Sequence, residues 1–483
     1  MPPLLNVIAG ELVEPASGKW SQRGTTPDGR LELDALPRSD ARDVERALLA
    51  ARAAAPEWAS LTAFARADHL RAAASEMRAR LESLATTMCH EVGKPIAEAR
   101  AEVDNAARVL DFYAGLAHAI GGDHFASARD GVHLFTRREP RGVVAIITPW
   151  NFPISLAIVK LAPALLCGNT AVWKPASPSA TSSAALAACL SDAGIPAGVV
   201  NMVLGGGGSV GDPLTDAELG AISFTGSCEV GQSIERRSAA RGVRTLTELG
   251  GKNVAIVCAD ADLDLAVEAV VGGAFRYAGQ KCTATSRLVV VDAVHDEFVT
   301  RLTARVATLV VGVPDDPTAF VGPVISQECV DTTLKCIADA VAGGAQVVSG
   351  GSRADVAAAP DGTFLEPTVV VGVTPNMRLA REELFAPVLA VLSARDIEEA
   401  YAIADDTEFG LTAAIFTRDL STAFEYVARA DAGAVSVNLP TSGVEYQLSL
   451  GGRRNSGSGG QEQGLATLDF YTRSKSVSVR YAP

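Results

Sequence analysis

Cys282 is the residue around which the most demanding chemistry could be built. It stands in the stretch GGAFRYAGQKCTATSR, residues 272–287, just after the turn Gly279-Gln280-Lys281. An apolar helical run, residues 263–278, precedes it, and a strand-like run, residues 288–291, follows. A thiol at a glycine-marked junction after a buried helix is well placed to face a cleft. The thiolate is the reactive species, and a basic neighbour such as Lys281 lowers the pKa of a thiol. Position alone does not make a nucleophile, because the chain has eight cysteines and most free cysteines are small buried hydrophobes. The chemistry sharpens when two more residue types are added. A thiolate that attacks a carbonyl carbon leaves an oxyanion, which the neutral amide of Asn151 can hold without becoming a competing acid. The acyl–thiol that results must be hydrolysed, and Glu248, on the glycine-flanked hinge Glu248-Leu249-Gly250-Gly251, can activate the water. Taken singly, Glu248 reads as a surface carboxylate and Asn151 as a turn or cap residue.

The elements that must bring these groups together are legible as apolar runs. Residues 1–35, punctuated by Gly and Pro, read as an edge ribbon. Residues 39–117 turn helical, with Ser39-Asp40 as an N-cap before the face Val44, Ala47, Leu48. The polar stretch 121–138 contains strand-like pieces such as 132–136. A strand–helix alternation follows. Runs 142–147, 170–173, 199–204 and 219–224 end in Thr148-Pro149-Trp150-Asn151, Lys174-Pro175, Gly205–Gly208 and Thr225-Gly226-Ser227, with helices over 154–167 and 180–193. Short apolar runs that each end in turn residues before a helix indicate a parallel sheet covered by helices. Ligands bind at the carboxyl ends of such strands, so these polar and glycine residues should cluster. A second alternation begins after Gly250-Gly251, with strands at 254–258, 288–291, 388–392, 411–416 and 434–437. The tail, residues 469–480, alternates serine and valine as a strand with no local partner, and an exposed edge strand seeks one.

Composition narrows the classes. A chain of 483 residues with 48% hydrophobic and 20% charged residues fits a folded protein of two or three domains. A net charge of −14 argues against nucleic-acid binding and against anionic membrane surfaces. No apolar span of about 18 residues exists, the longest candidates being broken by Lys160, Pro163 or Gly168. The first residues do not read as a secretory leader. The cysteines are scattered without a CxxC pair, and the six histidines form no ligand-spaced cluster. A disulfide scaffold and a metal site are therefore not expected, and a reducing cytoplasm is.

Five motifs, in order and correctly spaced over essentially the whole chain, resemble the aldehyde dehydrogenase superfamily. They are Thr148-Pro149-Trp150-Asn151-Phe152-Pro153, Phe224-Thr225-Gly226-Ser227, Glu248-Leu249-Gly250-Gly251-Lys252, Gly279-Gln280-Lys281-Cys282 and Glu382-Glu383-Leu384-Phe385-Ala386-Pro387. The resemblance implies an α/β fold of two doubly wound parallel-sheet domains, an atypical Rossmann cofactor domain (1–117 and 139–249) and a catalytic domain (250–446). A small β oligomerisation arm (118–138 and 465–483) would build a homodimer or homotetramer. It implies NAD(P)-dependent oxidation of an aldehyde to its acid through a cysteine thiohemiacetal and thioester. Cys282, Glu248 and Asn151 then take the roles their chemistry suggests, with the Cys282 backbone N–H as a second oxyanion donor. The glycines Gly205–Gly208 and Gly226-Ser227 would admit a pyrophosphate at the helix N-terminus after Ser227. Lys174 and Glu383 would bind the two riboses, Phe385 would pack near the nicotinamide, and Trp150 would line the pocket. NAD-preferring relatives often carry a glutamate three residues after the lysine. Ser177 stands there instead, so NADP is expected alongside or ahead of NAD, with Lys174 and Ser177 on its 2′-phosphate. On this reading the bound cofactor, the local helix end and Glu248 activate the thiol more than Lys281 does.

Stretches 279–287, 437–446 and 461–464 are similar to the 2,5-dioxopentanoate (α-ketoglutaric semialdehyde) dehydrogenase branch. Lys281 replaces the arginine usual there, and Ser449-Leu450-Gly451-Gly452-Arg453-Arg454 departs from its Pro-Phe-Gly-Gly-Arg-Lys. The tunnel helix presents Phe152, Ser155, Leu156 and Val159, an apolar wall, whereas a buried carboxylate needs a cationic partner, for which Lys281 is the candidate. An apolar or aromatic aldehyde (benzaldehyde or vanillin type), with Leu156, Val159 and Tyr446 as walls, is the alternative. A CoA-acylating dehydrogenase commonly lacks the general-base glutamate, and a non-catalytic member of the fold would lack Cys282, Glu248 or Asn151. All three are present.

Overall fold

A computed structural model describes residues 3–481. Two large sheets carry the chain. The first runs Glu11–Val13, Asn6–Ile8, Val200–Met202, Thr170–Pro175, Val143–Thr148, Ala221–Thr225, Arg244–Glu248, Gly457–Ser458. Its five central strands are parallel, and antiparallel strands close both edges. The second runs Gln346–Ser349, Thr368–Val371, Val388–Ala394, Arg287–Val291, Val254–Val257, Thr412–Phe416, Ala434–Val437. It is parallel except at the first strand. Val143–Thr148 and Thr170–Pro175 are buried at every position, as strands covered by helices on both faces must be. The expected Asp40 cap is present, closed as a capping box with Asp43.

Several strands were not legible, among them Gln346–Ser349, Thr368–Val371 and Arg244–Glu248. Arg244–Glu248 has a single aliphatic side chain and two threonines. It is recruited by pairing in register with Ala221–Thr225, and the Thr247 hydroxyl is satisfied by Glu235. The expected hinge at Glu248 is therefore the carboxyl end of a strand. The serine–valine tail also gains a partner within the chain. Thr472–Arg480 pairs along its whole length with Val132–Pro140, which in turn pairs with His124–Phe125. The other edge of Thr472–Arg480 has no strand beside it among the described residues. Among those residues no helix is long and apolar enough to cross a membrane.

A buried ion pair joins the helical layer to the segment that carries Asn151. Lys94 is fully buried and bonded to Glu102. The other Glu102 oxygen accepts from the backbone N–H groups of Ile154 and Ser155, each at 3.0 Å. It thereby satisfies the first turn of the helix Ser155–Leu166, which has no cap of its own. Lys94 Nζ also sits 3.8 Å over the Phe152 ring and 4.4 Å over Tyr277. Removing one member of a buried pair strands the other charge. Glu102→Ala should therefore cost ~3–5 kcal/mol, seen as a lower urea midpoint. Arg100→Ala, which breaks the exposed pair to Glu82, should leave the midpoint nearly unchanged.

Candidate active site

The loop that presents Cys282 is held in a conformation that few residues adopt. The helix Leu263–Phe275 is followed by three left-handed residues, Tyr277, Ala278 and Gly279, with φ of 53°, 51° and 68°. Non-glycine residues in this region cost about 1–3 kcal/mol each and persist only where neighbours over-determine them. Here they do. A Cβ at Gly279 would lie 2.4 Å from the Ala386 carbonyl oxygen. Tyr277 is fully buried edge-on against Phe152. Gln280, also buried, donates to the Pro323 carbonyl at 3.3 Å and accepts from the Ile325 N–H at 2.8 Å. Two side-chain amides then fix the nucleophile itself. Asn151 Nδ2 donates to the Gln280 carbonyl at 3.0 Å. Asn253 Nδ2 donates to the carbonyls of Cys282 (2.7 Å) and Ala284 (2.9 Å), while its oxygen accepts from the Thr412 N–H at 3.1 Å.

Carboxylates dominate the electrostatics. Burial pushes the Cys282 thiol up to about 12, and Glu383, Glu248 and Glu462 add to the shift. Lys281, the expected activator, contributes nothing to this. It is pulled toward Glu98, 3.8 Å away and shared with Arg276. The expected helix end does not help either, because Cys282 follows the C-terminal end of one helix and leads into the strand Arg287–Val291. Burial raises Glu248 well above the usual carboxylate range. The nearby Glu462 raises it further, and Lys160 partly offsets this. One Glu248 oxygen accepts weakly from the Gly452 N–H at 3.4 Å, and the other has no partner among the described residues. A carboxylate with a raised pKa and an unspent oxygen is a strong base once ionised. Lys160, fully buried, is bonded to Glu462 and donates to the Ser223 hydroxyl at 3.1 Å.

A cleft of about 780 Å³ opens at the carboxyl ends of Val143–Thr148, Ala221–Thr225 and Arg244–Glu248. Trp150, Asn151, Lys174, Gly226, Ser227, Cys282, Glu383 and Phe385 all line it. Glu248 lies beneath the wall that Leu249 and Gly250 form. Of the glycine run, Gly207 and Gly208 line the cleft, whereas Gly205 turns the chain behind them with φ of 153°. Ser177 follows the cleft-lining Ala176 and donates to the Gly205 carbonyl at 3.4 Å. Lys174 is buried, which brings its amine down to about 8, and its one bond is to the Pro175 carbonyl at 3.2 Å. Burial raises Glu383 to about 7, against the Gly251 N–H at 3.2 Å and Lys252. Phe385 is left-handed (φ 56°) and meets Trp150 edge-on at 5.7 Å.

Of the residues expected on the substrate wall, only Leu156 lines this cleft. Val159 is 3% exposed within the core. Phe152 lies under Lys94, and Tyr446 packs on Phe112 at 5.5 Å. The reason is that Ser155–Leu166 is buried at almost every position and spends its apolar face on the core.

The cleft fits a dinucleotide. A Cβ at Gly226 would lie 2.5 Å from the Phe224 ring, and one at Gly250 would lie 2.1 Å from Glu383 Oε2, so the backbone here is bare by necessity. Ser227 begins the helix Cys228–Ala239 without spending its side chain on the cap, which leaves the first-turn N–H groups free for an anion.

Sequence reasoning missed three contributors to this site. Asn253 follows directly on the Glu248–Lys252 motif. Lys160 was read only as an interruption of an apolar run, although a lysine inside such a helix demands a buried partner. That partner, Glu462, lay within the stretch 461–464.

Comparison with known proteins agrees with this geometry. Residues 16–477 match the family described as "Aldehyde dehydrogenase family". The chain is 40% identical to the alpha-ketoglutaric semialdehyde dehydrogenase of Bacillus subtilis (strain 168), over 99% of this chain and 98% of the relative. It superposes at a TM-score of 0.95 on betaine aldehyde dehydrogenase from Staphylococcus aureus in complex with NAD+, with 34% identity over 99% of this chain and 95% of the other. The TM-score is also 0.95 with an NADP-dependent enzyme of E. coli, with 36% identity over 99% and 98% of the two chains. The chain belongs to the aldehyde dehydrogenase family. It is an oxidoreductase that oxidises aldehydes with NAD or NADP.

The carboxylate pair yields a pH prediction. If Glu248 is the base for hydrolysis it acts only when ionised, and the rate then rises with pH through its pKa. Glu462→Gln removes a negative neighbour and leaves Lys160, which lowers that pKa. The ascending limb of the kcat profile should therefore move to lower pH. A limb that stays in place or moves up would show that Glu462 does not act on Glu248.

Proposed function

We propose that the chain oxidises a carboxylated semialdehyde such as 2,5-dioxopentanoate to the dicarboxylate. Cys282 is the nucleophile, Asn151 the oxyanion donor and Glu248 the base. The observation that carries this reading is Asn151. Its Nδ2 reaches the residue two before Cys282 and spends one N–H there, which leaves the second N–H on the cleft wall beside the thiol. Glu248 takes the thiol proton as Sγ bonds the carbonyl carbon, and Asn151 with the Cys282 N–H holds the oxyanion. The bound dinucleotide supplies the hydride acceptor. As the oxyanion collapses the carbonyl re-forms as a thioester. Glu248 passes the thiol's proton to solvent and, ionised again, takes a proton from the water that attacks the thioester. As the C–S bond breaks the acid is released and Glu248 returns that proton to the Cys282 thiolate.

Lys174 and Glu383 would bind the ribose hydroxyls, Gly207, Gly208, Gly226 and Ser227 would hold the pyrophosphate, and Phe385 and Trp150 would pack near the nicotinamide; all of them line the cleft. With no carboxylate at Ser177, a 2′-phosphate meets Lys174 unopposed. The substrate assignment rests on the Bacillus subtilis relative and on Lys281, a cation directly before the nucleophile and mostly buried. A second reading, an apolar or aromatic aldehyde, is favoured by Glu98, which already pairs with Lys281. The three-stranded sheet, with Thr472–Arg480 at an open edge, supports assembly into a dimer or a dimer of dimers. Eight free cysteines support a reducing, cytoplasmic setting.

The test is kcat/KM for aliphatic, aromatic and ω-carboxylated aldehydes with NAD and NADP. The carboxylated substrate should lead, and Lys281→Met should raise its KM by about tenfold or more, the worth of one charge-assisted bond, while leaving an uncharged aldehyde unchanged. Aromatic substrates in the lead would favour the second reading. An NAD preference of about a hundredfold would remove the phosphate role of Lys174 and Ser177. Cys282→Ser should abolish turnover and retain cofactor binding.

A further inference from the structure

A second cavity, of about 210 Å³, shares no lining residue with the cofactor cleft. It is walled by the segment Lys252-Asn253-Val254, the loop before the strand Thr412–Phe416, and the helix that carries Tyr426. Its charges do not cancel. The acidic groups on the wall, Asp405 and Asp431, are bonded to Arg454, and Arg429 is bonded to Glu398 and Glu425. Two cations remain. Arg287, 2% exposed, donates only to carbonyls, those of Lys252, Ile403, Ala404 and Asp406. The side chain of Lys252, 3% exposed, makes no hydrogen bond or ion pair among the described residues.

Two further donors on the same wall are unspent. The buried Thr412 Oγ1 has no hydrogen-bond partner among the described residues, and the hydroxyl of Tyr426, which lines the same wall, makes no hydrogen bond among them. Both Lys252 and Tyr426 couple electrostatically to Arg287, which places them around one guanidinium. Glu383 and Glu382 act on the Lys252 ammonium without forming an ion pair with it, and a buried ammonium or hydroxyl without a bonded acceptor is unfavourable. Unpaired donors gathered beside two positive charges at one cavity describe a receptor for an acceptor-only, negatively charged guest.

We propose that this cavity binds a small oxyanion, of phosphate or carboxylate chemistry, on Lys252 Nζ and the Tyr426 hydroxyl beside Arg287. Its occupant abuts Asn253, the next residue in the chain, whose side chain lines the cavity and holds the Cys282 carbonyl. The anion therefore steadies the strut that seats the nucleophile.

The test uses the full-length protein with the cleft saturated by cofactor, so that anions cannot act there. Inorganic phosphate and succinate are titrated in separate arms at constant ionic strength set with chloride. Lys252 acetylation by acetic anhydride at pH 8 is followed by peptide mass spectrometry, since burial brings its amine down to about 8. Protection should reach about tenfold when the anion is ten times its dissociation constant. Tyr426→Phe should weaken the protection several-fold, and Lys252→Met should abolish the saturable rise in Tm that the anion gives. Protection by phosphate alone identifies a tetrahedral oxyanion, and protection by succinate alone a dicarboxylate. Equal labelling with both anions and with chloride would overturn the proposal and leave a cavity that holds water only. The labelling needs no substitution at Lys252, so it stands even where Lys252→Met fails to fold.

Discussion

The side chain of Asn253 is the link on which the site depends. It joins two carbonyls of the nucleophile loop to the first residue of a central strand of the second sheet. Its own carbonyl accepts from Ser286 and Arg287, where the next strand begins. The loop enters this bond through three left-handed residues, a shape that would relax without an external hold. Asn151 supplies the opposing hold from the end of a strand in the first sheet. Cys282 is thus fixed between the two sheets, and the cleft exists because each sheet ends beside it. Gly251 must be bare for this to work, since a Cβ there would lie 2.7 Å from Asn253 Oδ1 and 3.1 Å from the Cys282 carbonyl oxygen.

The same crowding sets the protonation logic. Burial, reinforced by the neighbouring carboxylates, raises the thiol to about 12 and keeps it neutral. A neutral thiol is a poor nucleophile and is also protected from oxidation. Reaction then requires a base strong enough to take its proton. Glu248, raised by burial and by Glu462, is such a base, and it is the same group that water activation requires. In the proposed mechanism one carboxylate serves both half-reactions because its environment is buried and already negative. Lys160 limits the accumulation of negative charge by pairing with Glu462.

The apolar runs revealed both parallel sheets, because strands covered on two faces must be apolar throughout. The strand Arg244–Glu248 escaped notice because its partners, not its own side chains, hold it in the sheet. The proposed trio Cys282, Glu248 and Asn151 was read from residue chemistry and from the motifs that resemble the family. What surrounds it was not, since Lys281 and Cys282 are adjacent in sequence while Glu98, which claims the lysine, lies on a distant helix. The apolar tunnel face was misread for a related reason. Periodicity shows that a helix is apolar but not whether that face meets a cavity or the core, and Val159 meets the core. The ion pairs Lys94–Glu102 and Lys160–Glu462 left one kind of trace, a lysine inside an apolar segment.

The central claim is that Cys282 carries the acyl group and that Glu248 removes it. Mixing Glu248→Gln with aldehyde and cofactor and then digesting the protein for mass spectrometry tests this most directly. The account predicts a burst that is slow, because the thiol proton must now go to solvent base, and that stops at about one reduced cofactor per active site, with no sustained turnover and an acyl group on the Cys282 peptide. Sustained turnover, or an acyl group on Cys228 or Cys329 instead, would contradict it.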